Sequence, residues 1–209
     1  EGLGTIGLIV LGITLVRLGM DLVGGSALVY LVPRVSLARL LPPCYGWAVV
    51  AAVAGWGIME LFHLVPAGYG GHVAMLALLQ GISAIHLSVL LGQQRIRGNN
   101  WIAVAQSVVL VVVFAALARR AGSDAHAFVD AAYASATTAL VLGTWAIRRR
   151  VPVVRHTPVD VLRILFRQGL YIQLANGTQL LNYRLSYWLI EKFRDTAQLG
   201  IYTVANQLA

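Results

Sequence analysis

The ten residues Val108–Leu117 carry no polar side chain at all, and long apolar runs recur along the chain. A strand of a membrane barrel would alternate apolar and polar side chains over about 10 residues, which these runs do not do. An α-helix crosses the hydrocarbon core with about 20 mainly apolar residues and satisfies its own backbone N–H and C=O groups while doing so. The fold class that follows is all-α, a polytopic transmembrane helix bundle. Charged residues make up 11% of the chain, where a soluble domain carries about a quarter. The mean hydropathy of +0.74 agrees that most of the surface faces lipid.

The runs predict about six full spans and the start of a seventh. They cover Ile6–Leu31, Trp47–Val65, His72–Leu91, Trp101–Leu117, Ala127–Ile147 and Val161–Ile190, with another beginning at Thr196. Gly24 and Gly25 interrupt the first, and Gly169 and Gly177 the sixth. Both termini read as cut, so the chain is expected to be a fragment of a longer transporter-like protein. The fifth span places Ala131, Ser135, Ala139 and Gly143 four residues apart. Such a stripe of small residues lets a second helix approach closely, which favours a compact bundle.

Arginine sets the orientation. Arg34 and Arg39, Arg95 and Arg97, and Arg148, Arg149, Arg150 and Arg155 follow alternate spans and so fall on one side. The other side has Arg119, Arg120, Lys192 and Arg194, partly offset by Asp124, Glu191 and Asp195. The arginine-rich side is expected to be cytoplasmic, which also explains the net charge of +8 without invoking nucleic acid. Trp47, Trp101 and Trp145 at span ends suit the headgroup layer. The single cysteine, Cys44, sits between Pro42–Pro43 and an apolar run and can build neither a disulfide framework nor a thiolate site.

Ionisable groups inside lipid are costly and each needs a reason. Arg17 and Asp21 share one face of the first span, a helical turn apart. They are either a neutralised pair that locks the helix, or a cation facing a watery cavity with an acid holding it. The sixth span is the most polar. At about 100° per residue, Gln173, Asn176, Arg184, Tyr187 and Glu191 share a broad face, while Tyr171, Thr178, Gln179 and Asn182 lie opposite. Arg184 is the best candidate for a phosphate-like group, because a guanidinium fork matches phosphate oxygens; the alternative is an arginine satisfied by backbone carbonyls. His63, His72 and His86 lack the spacing of a zinc helix, and Gly68–Gly71 reads as a turn, so no metal site is expected. No nucleophile, base and orienting group can be assembled, so the chain does not read as an enzyme and no cofactor is implied.

Two blocks carry a family resemblance. Residues 7–34 read GLIVLGITLVRLGMDLVGGSALVYLVPR; residues 166–193 read FRQGLYIQLANGTQLLNYRLSYWLIEKF and are followed by QLGIYTVANQLA at 198–209. The chain resembles polysaccharide biosynthesis membrane proteins, the Wzx-type oligosaccharide flippases of the multidrug/oligosaccharidyl-lipid/polysaccharide exporter superfamily. The first block looks like the family's second helix and the last like its seventh and the start of its eighth. Ser186 stands where the family often has an aspartate, so no role for that acid is carried over.

The resemblance implies a two-lobe MATE-like fold. Residues 1–150 would be the remainder of the N-terminal lobe, 151–160 a cytoplasmic linker, and 161–209 the start of the C-terminal lobe. It implies alternating-access transfer of undecaprenyl-pyrophosphate-linked oligosaccharide across the cytoplasmic (inner) membrane. The substrate path would include Arg17, Asp21, Gln173, Asn176, Arg184 and Tyr187. The implied partners are the lipid-linked oligosaccharide, membrane lipid and polysaccharide polymerase or assembly proteins. Two rival readings remain: a cation-coupled drug antiporter of the same superfamily, and a non-transporting scaffold for polysaccharide assembly.

Overall fold

The computed structural model describes residues 2–66, 68–121, 125–148, 163–176 and 178. The chain divides into two compact units, Glu1–Gly169 and Leu170–Ala209. The described residues of the first unit are helical apart from short connections, and the chain is an all-α membrane helix bundle. Its helices are α1 (Gly2–Gly24), α2 (Ser26–Leu31), α3 (Leu37–Phe62), α4 (Gly70–Gly92), α5 (Ile96–Ala121) and α6 (Ala125–Arg148). A further helix covers 163–176.

Four helical segments among the described residues are long and apolar enough to cross a membrane: Thr5–Leu31, Leu37–Phe62, Gly70–Gly92 and Ile96–Arg119. Helix α6 is absent from that set because its small and polar residues dilute its hydropathy. Its 24 residues still extend about 36 Å at 1.5 Å per residue, and α4 and α5 cover it. Of the span expected at Val161–Ile190, the described portion is helical.

The first span breaks where its paired glycines stand. Gly25 leaves the helical region at φ −84°, ψ −135°, while its N–H still reaches Asp21 O at 3.3 Å. A Cβ at Gly25 would lie 2.9 Å from that same carbonyl, so the turn closes only without a side chain. Helix α2 then resumes, and Arg34 finishes it by donating from Nη1 to Tyr30 O at 2.6 Å.

Helix α3 begins ten residues before the span expected at Trp47, and carries Pro42 and Pro43 inside it. Each proline removes one intrahelical donor. The helix tolerates them near its arginine-flanked end, where water can serve the freed carbonyls. Cys44 is therefore a buried helical residue and not part of a loop; its Sγ lies 3.7 Å from Val23 O. Trp47 is also displaced from its expected role at the headgroups. It is half-buried, donates from Nε1 to Gly19 O at 2.9 Å, and meets Phe166 edge-on. Trp101, 74% exposed, and Trp145 keep the outward placement that suits an interface.

Helix α4 is the axis of the unit and packs against α1, α2, α3, α5 and α6. Glycines allow this closeness: a Cβ at Gly81 would collide with Met20 of α1. The small stripe of α6 turns inward as expected, with Ala131, Ser135, Ala139 and Gly143 all buried. Helix α5 leans chiefly on α6, and only 6% of its apolar window is buried inside the unit. At the arginine-rich end, Arg95 donates from Nη1 to Ala146 O at 2.7 Å, in the last turn of α6.

Candidate functional site: a polar cavity at mid-span

Helices α1 and α5 flank α4 and α6, and a cavity of about 510 Å³ opens between them. From α1 it receives Thr14, Arg17 and Asp21, from α4 Gln80, from α5 Gln106 and Ser107, and from α6 Ser135. Val10, Ile13, Leu18, Leu110, Phe128 and Ala132 supply its apolar wall.

The polar groups lie at nearly one level. Gln80 is ten residues from Gly70 and twelve from Gly92, about 15 and 18 Å along the axis. Gln106 is ten residues from Ile96, and Ser135 ten from Ala125. Arg17 stands twelve residues from Thr5 and fourteen from Leu31. Four helices thus each bring a polar side chain to mid-span, where an unsatisfied group is most expensive.

The arginine is not fully satisfied by its surroundings. Its Nε is buried and has no hydrogen-bond partner. Asp21, one turn away, acts on it electrostatically, yet the two make no hydrogen bond among the described residues. Gln80 and Gln106 are half-buried, and their amides make no hydrogen bond among the described residues. Ser135, by contrast, is committed: its Oγ donates to Gln106 O at 3.0 Å. The cavity therefore offers one guanidinium, one carboxylate and two free amides beside an apolar wall. Such a set can hold a polar ligand by hydrogen bonds while keeping lipid tails out.

Arg17 and Asp21, paired in the sequence reading, are brought together in this cavity. Gln173 is half-buried and Asn176 exposed on the helix at 163–176, in the second unit. Arg184 and Tyr187 lie outside the described residues. Gln80 and Gln106 went unnoticed in the sequence. The signal available was an amide near the centre of an apolar span, which carries the same question as a charge there.

Two other polar clusters lie in the first unit. His86 of α4, 4% exposed, shares a 2.7 Å hydrogen bond between its Nε2 and Tyr45 Oη, while its Nδ1 is buried without a partner. At the opposite ends of the helices, Tyr69 Oη and His126 Nε2 lie 3.1 Å apart, and His72 Nδ1 and Tyr133 Oη 3.2 Å apart. These contacts fasten the start of α4 to α6. Among the described residues, no group of three or more His, Cys, Asp or Glu side chains could hold a metal ion.

A family model described as polysaccharide biosynthesis protein matches residues 52–209. The match takes in α4 to α6 and the block at 166–209, and begins after the block at 7–34. No curated protein and no solved structure gives a match.

Proposed function

The chain belongs to the polysaccharide biosynthesis protein family, and from that membership we propose that it is part of a flippase for lipid-linked oligosaccharide. A multi-pass membrane protein of this family has its role in polysaccharide biosynthesis. The specific step proposed is transfer of a saccharide on a polyprenyl diphosphate from one leaflet of the cytoplasmic membrane to the other.

The observation that carries this reading is the mid-span cavity with polar side chains from four helices. A membrane-embedded path for a hydrophilic headgroup needs such a place, since the saccharide cannot cross hydrocarbon unaided. Alternating access places a site near the midplane and opens it to each side in turn. Arg17 contributes a cation with an unfilled donor, which a phosphate oxygen would accept from. Asp21, one turn away, acts on the guanidinium electrostatically and limits the net charge of the cavity. On the second unit, Gln173, Asn176, Arg184 and Tyr187 are proposed substrate-path residues on the polar face of their span. The prenyl tail would remain in membrane lipid, and polymerase or assembly proteins would take the product. Asp21 as the one acid among the described lining residues, beside Arg17, is thin provision for a coupling cation and favours this cargo over a cation-coupled drug.

The test is complementation by the full-length parent in a strain lacking its own flippase, with Arg17→Ala beside it. Surface polysaccharide should return with the parent and fall by roughly 10-fold or more with the variant at equal protein level, the scale of one lost charge-assisted hydrogen bond. A stable, inserted parent that restores nothing would instead favour the antiporter or the scaffold.

A further inference from the structure

Gln80 and Gln106 pose a separate question about the same cavity. Both line it, and neither amide finds a partner among the described residues. Among the described lining residues, Ser135 ties α6 to α5, and it uses the Gln106 backbone, leaving the Gln106 side chain uncommitted. A carboxamide offers two donors and an acceptor with two lone pairs, a complement suited to hydroxyl and acetamido groups.

The charge of the lining narrows the ligand further. Arg17 and Asp21 are the charged side chains among the lining residues, one of each sign. Everything else polar there is neutral: two amides and the hydroxyls of Thr14, Ser107 and Ser135. With Arg17 taken by the diphosphate, a carboxylate on the sugar would meet no further cation in this lining and would feel the Asp21 carboxylate. The apolar wall, with Phe128 in it, suits the less polar face of a sugar ring.

We propose that Gln80 and Gln106 are specificity-determining residues forming a subsite for an uncharged sugar, the one next to the diphosphate held at Arg17. This deepens the flippase reading and rests on it. The two amides read the sugar's hydroxyl or acetamido groups, and Arg17 reads the phosphate, so the two sets of contacts separate experimentally.

The experiment measures binding to the purified full-length parent in lipid nanodiscs, with three probes. They are polyprenyl diphosphate alone, the same lipid bearing one N-acetylhexosamine, and the same lipid bearing one hexuronic acid. The parent should prefer the N-acetylhexosamine lipid to the other two. A Gln80→Leu/Gln106→Leu double variant should lose that preference by roughly 10-fold, the worth of two neutral hydrogen bonds, while its binding of bare polyprenyl diphosphate is unchanged. Gln106→Asn, which keeps the carboxamide, should recover part of the preference. Arg17→Gln should weaken all three probes alike.

Outcomes that overturn the subsite are equally clear. If the double variant keeps the parent's preference, or loses bare diphosphate binding to the same extent, the amides do not read sugar. Tighter binding of the hexuronic acid probe would overturn the claim that the sugar is uncharged. A parent that binds none of the three would remove the flippase reading itself, and the subsite with it.

Discussion

Ser135 Oγ donates to the backbone carbonyl of Gln106 across 3.0 Å, and this bond fastens α6 to α5 at the level of the cavity. It uses a small residue of the α6 stripe, so close packing and hydrogen bonding coincide at one position. Replacing Ser135 with Ala should keep the close approach and remove only the bond. We expect a loss of about 0.6 kcal/mol, the mean for interhelical hydrogen bonds within a bilayer, measured by reversible unfolding in mixed micelles. Ser135→Leu should cost more, because it forces the helices apart.

Gly143 sits against His86: a Cβ there would be 3.0 Å from the His86 Cβ and 3.2 Å from its Nδ1. Gly143→Val should therefore destabilise the bundle by about 1–3 kcal/mol, as overpacking does. Combining it with His86→Ala should recover part of that loss, a coupling that a double-mutant cycle in thermal unfolding would read directly. Independent, additive effects would show that the two do not meet.

Cys44 gives a direct check on the path of α3. A cysteine in an exposed Pro-rich loop would react readily with maleimide, whereas a buried helical one should not. Peptide mapping of the native full-length protein should find Cys44 labelled at least about 10-fold more slowly than after denaturation. Equal rates would return it to a loop.

Trp47 and Trp101 should respond differently to a water-soluble quencher. Trp101 is 74% exposed, while Trp47 is held between Gly19 and Phe166. Trp47→Phe should remove a component of the emission that iodide reaches poorly, and Trp101→Phe a component that it reaches well. A Trp47 contribution that quenches freely would place its ring back among the headgroups.

Much of the architecture is legible in the sequence, because lipid imposes simple rules. Apolar length located α4 to within two residues of its observed start, and the paired glycines marked the break at Gly25. The Ala131–Gly143 stripe announced the buried face of α6, since spacing by four keeps small residues on one side. The start of α3 was missed because Pro42–Pro43 reads as a breaker, and a helix end near water can absorb two missing donors. Trp47 was misread because an indole before an apolar run looks interfacial, while the carbonyl it actually bonds lies on another helix.

The cavity was legible only in part. Arg17 and Asp21 stand a turn apart on one helix, so their pairing is a local property that spacing reveals. Gln80 and Gln106 are 26 positions apart on different helices, and each alone looks like a tolerated amide. That they share a level with Arg17 is decided by how α1 and α5 lean on α4 and α6, which no single run encodes.

The bond from Arg95 to Ala146 O bears on how the protein is assembled. Arg95 belongs to the short turn after α4, so it emerges and chooses its side of the bilayer before α6 has been synthesised. Its acceptor exists only once α6 is complete to its final turn. The same guanidinium thus serves first as a topological signal and later as a latch on α6. Replacing it with glutamine would disturb both events, and separating them would call for a lysine, which keeps the charge but not the geometry of the fork.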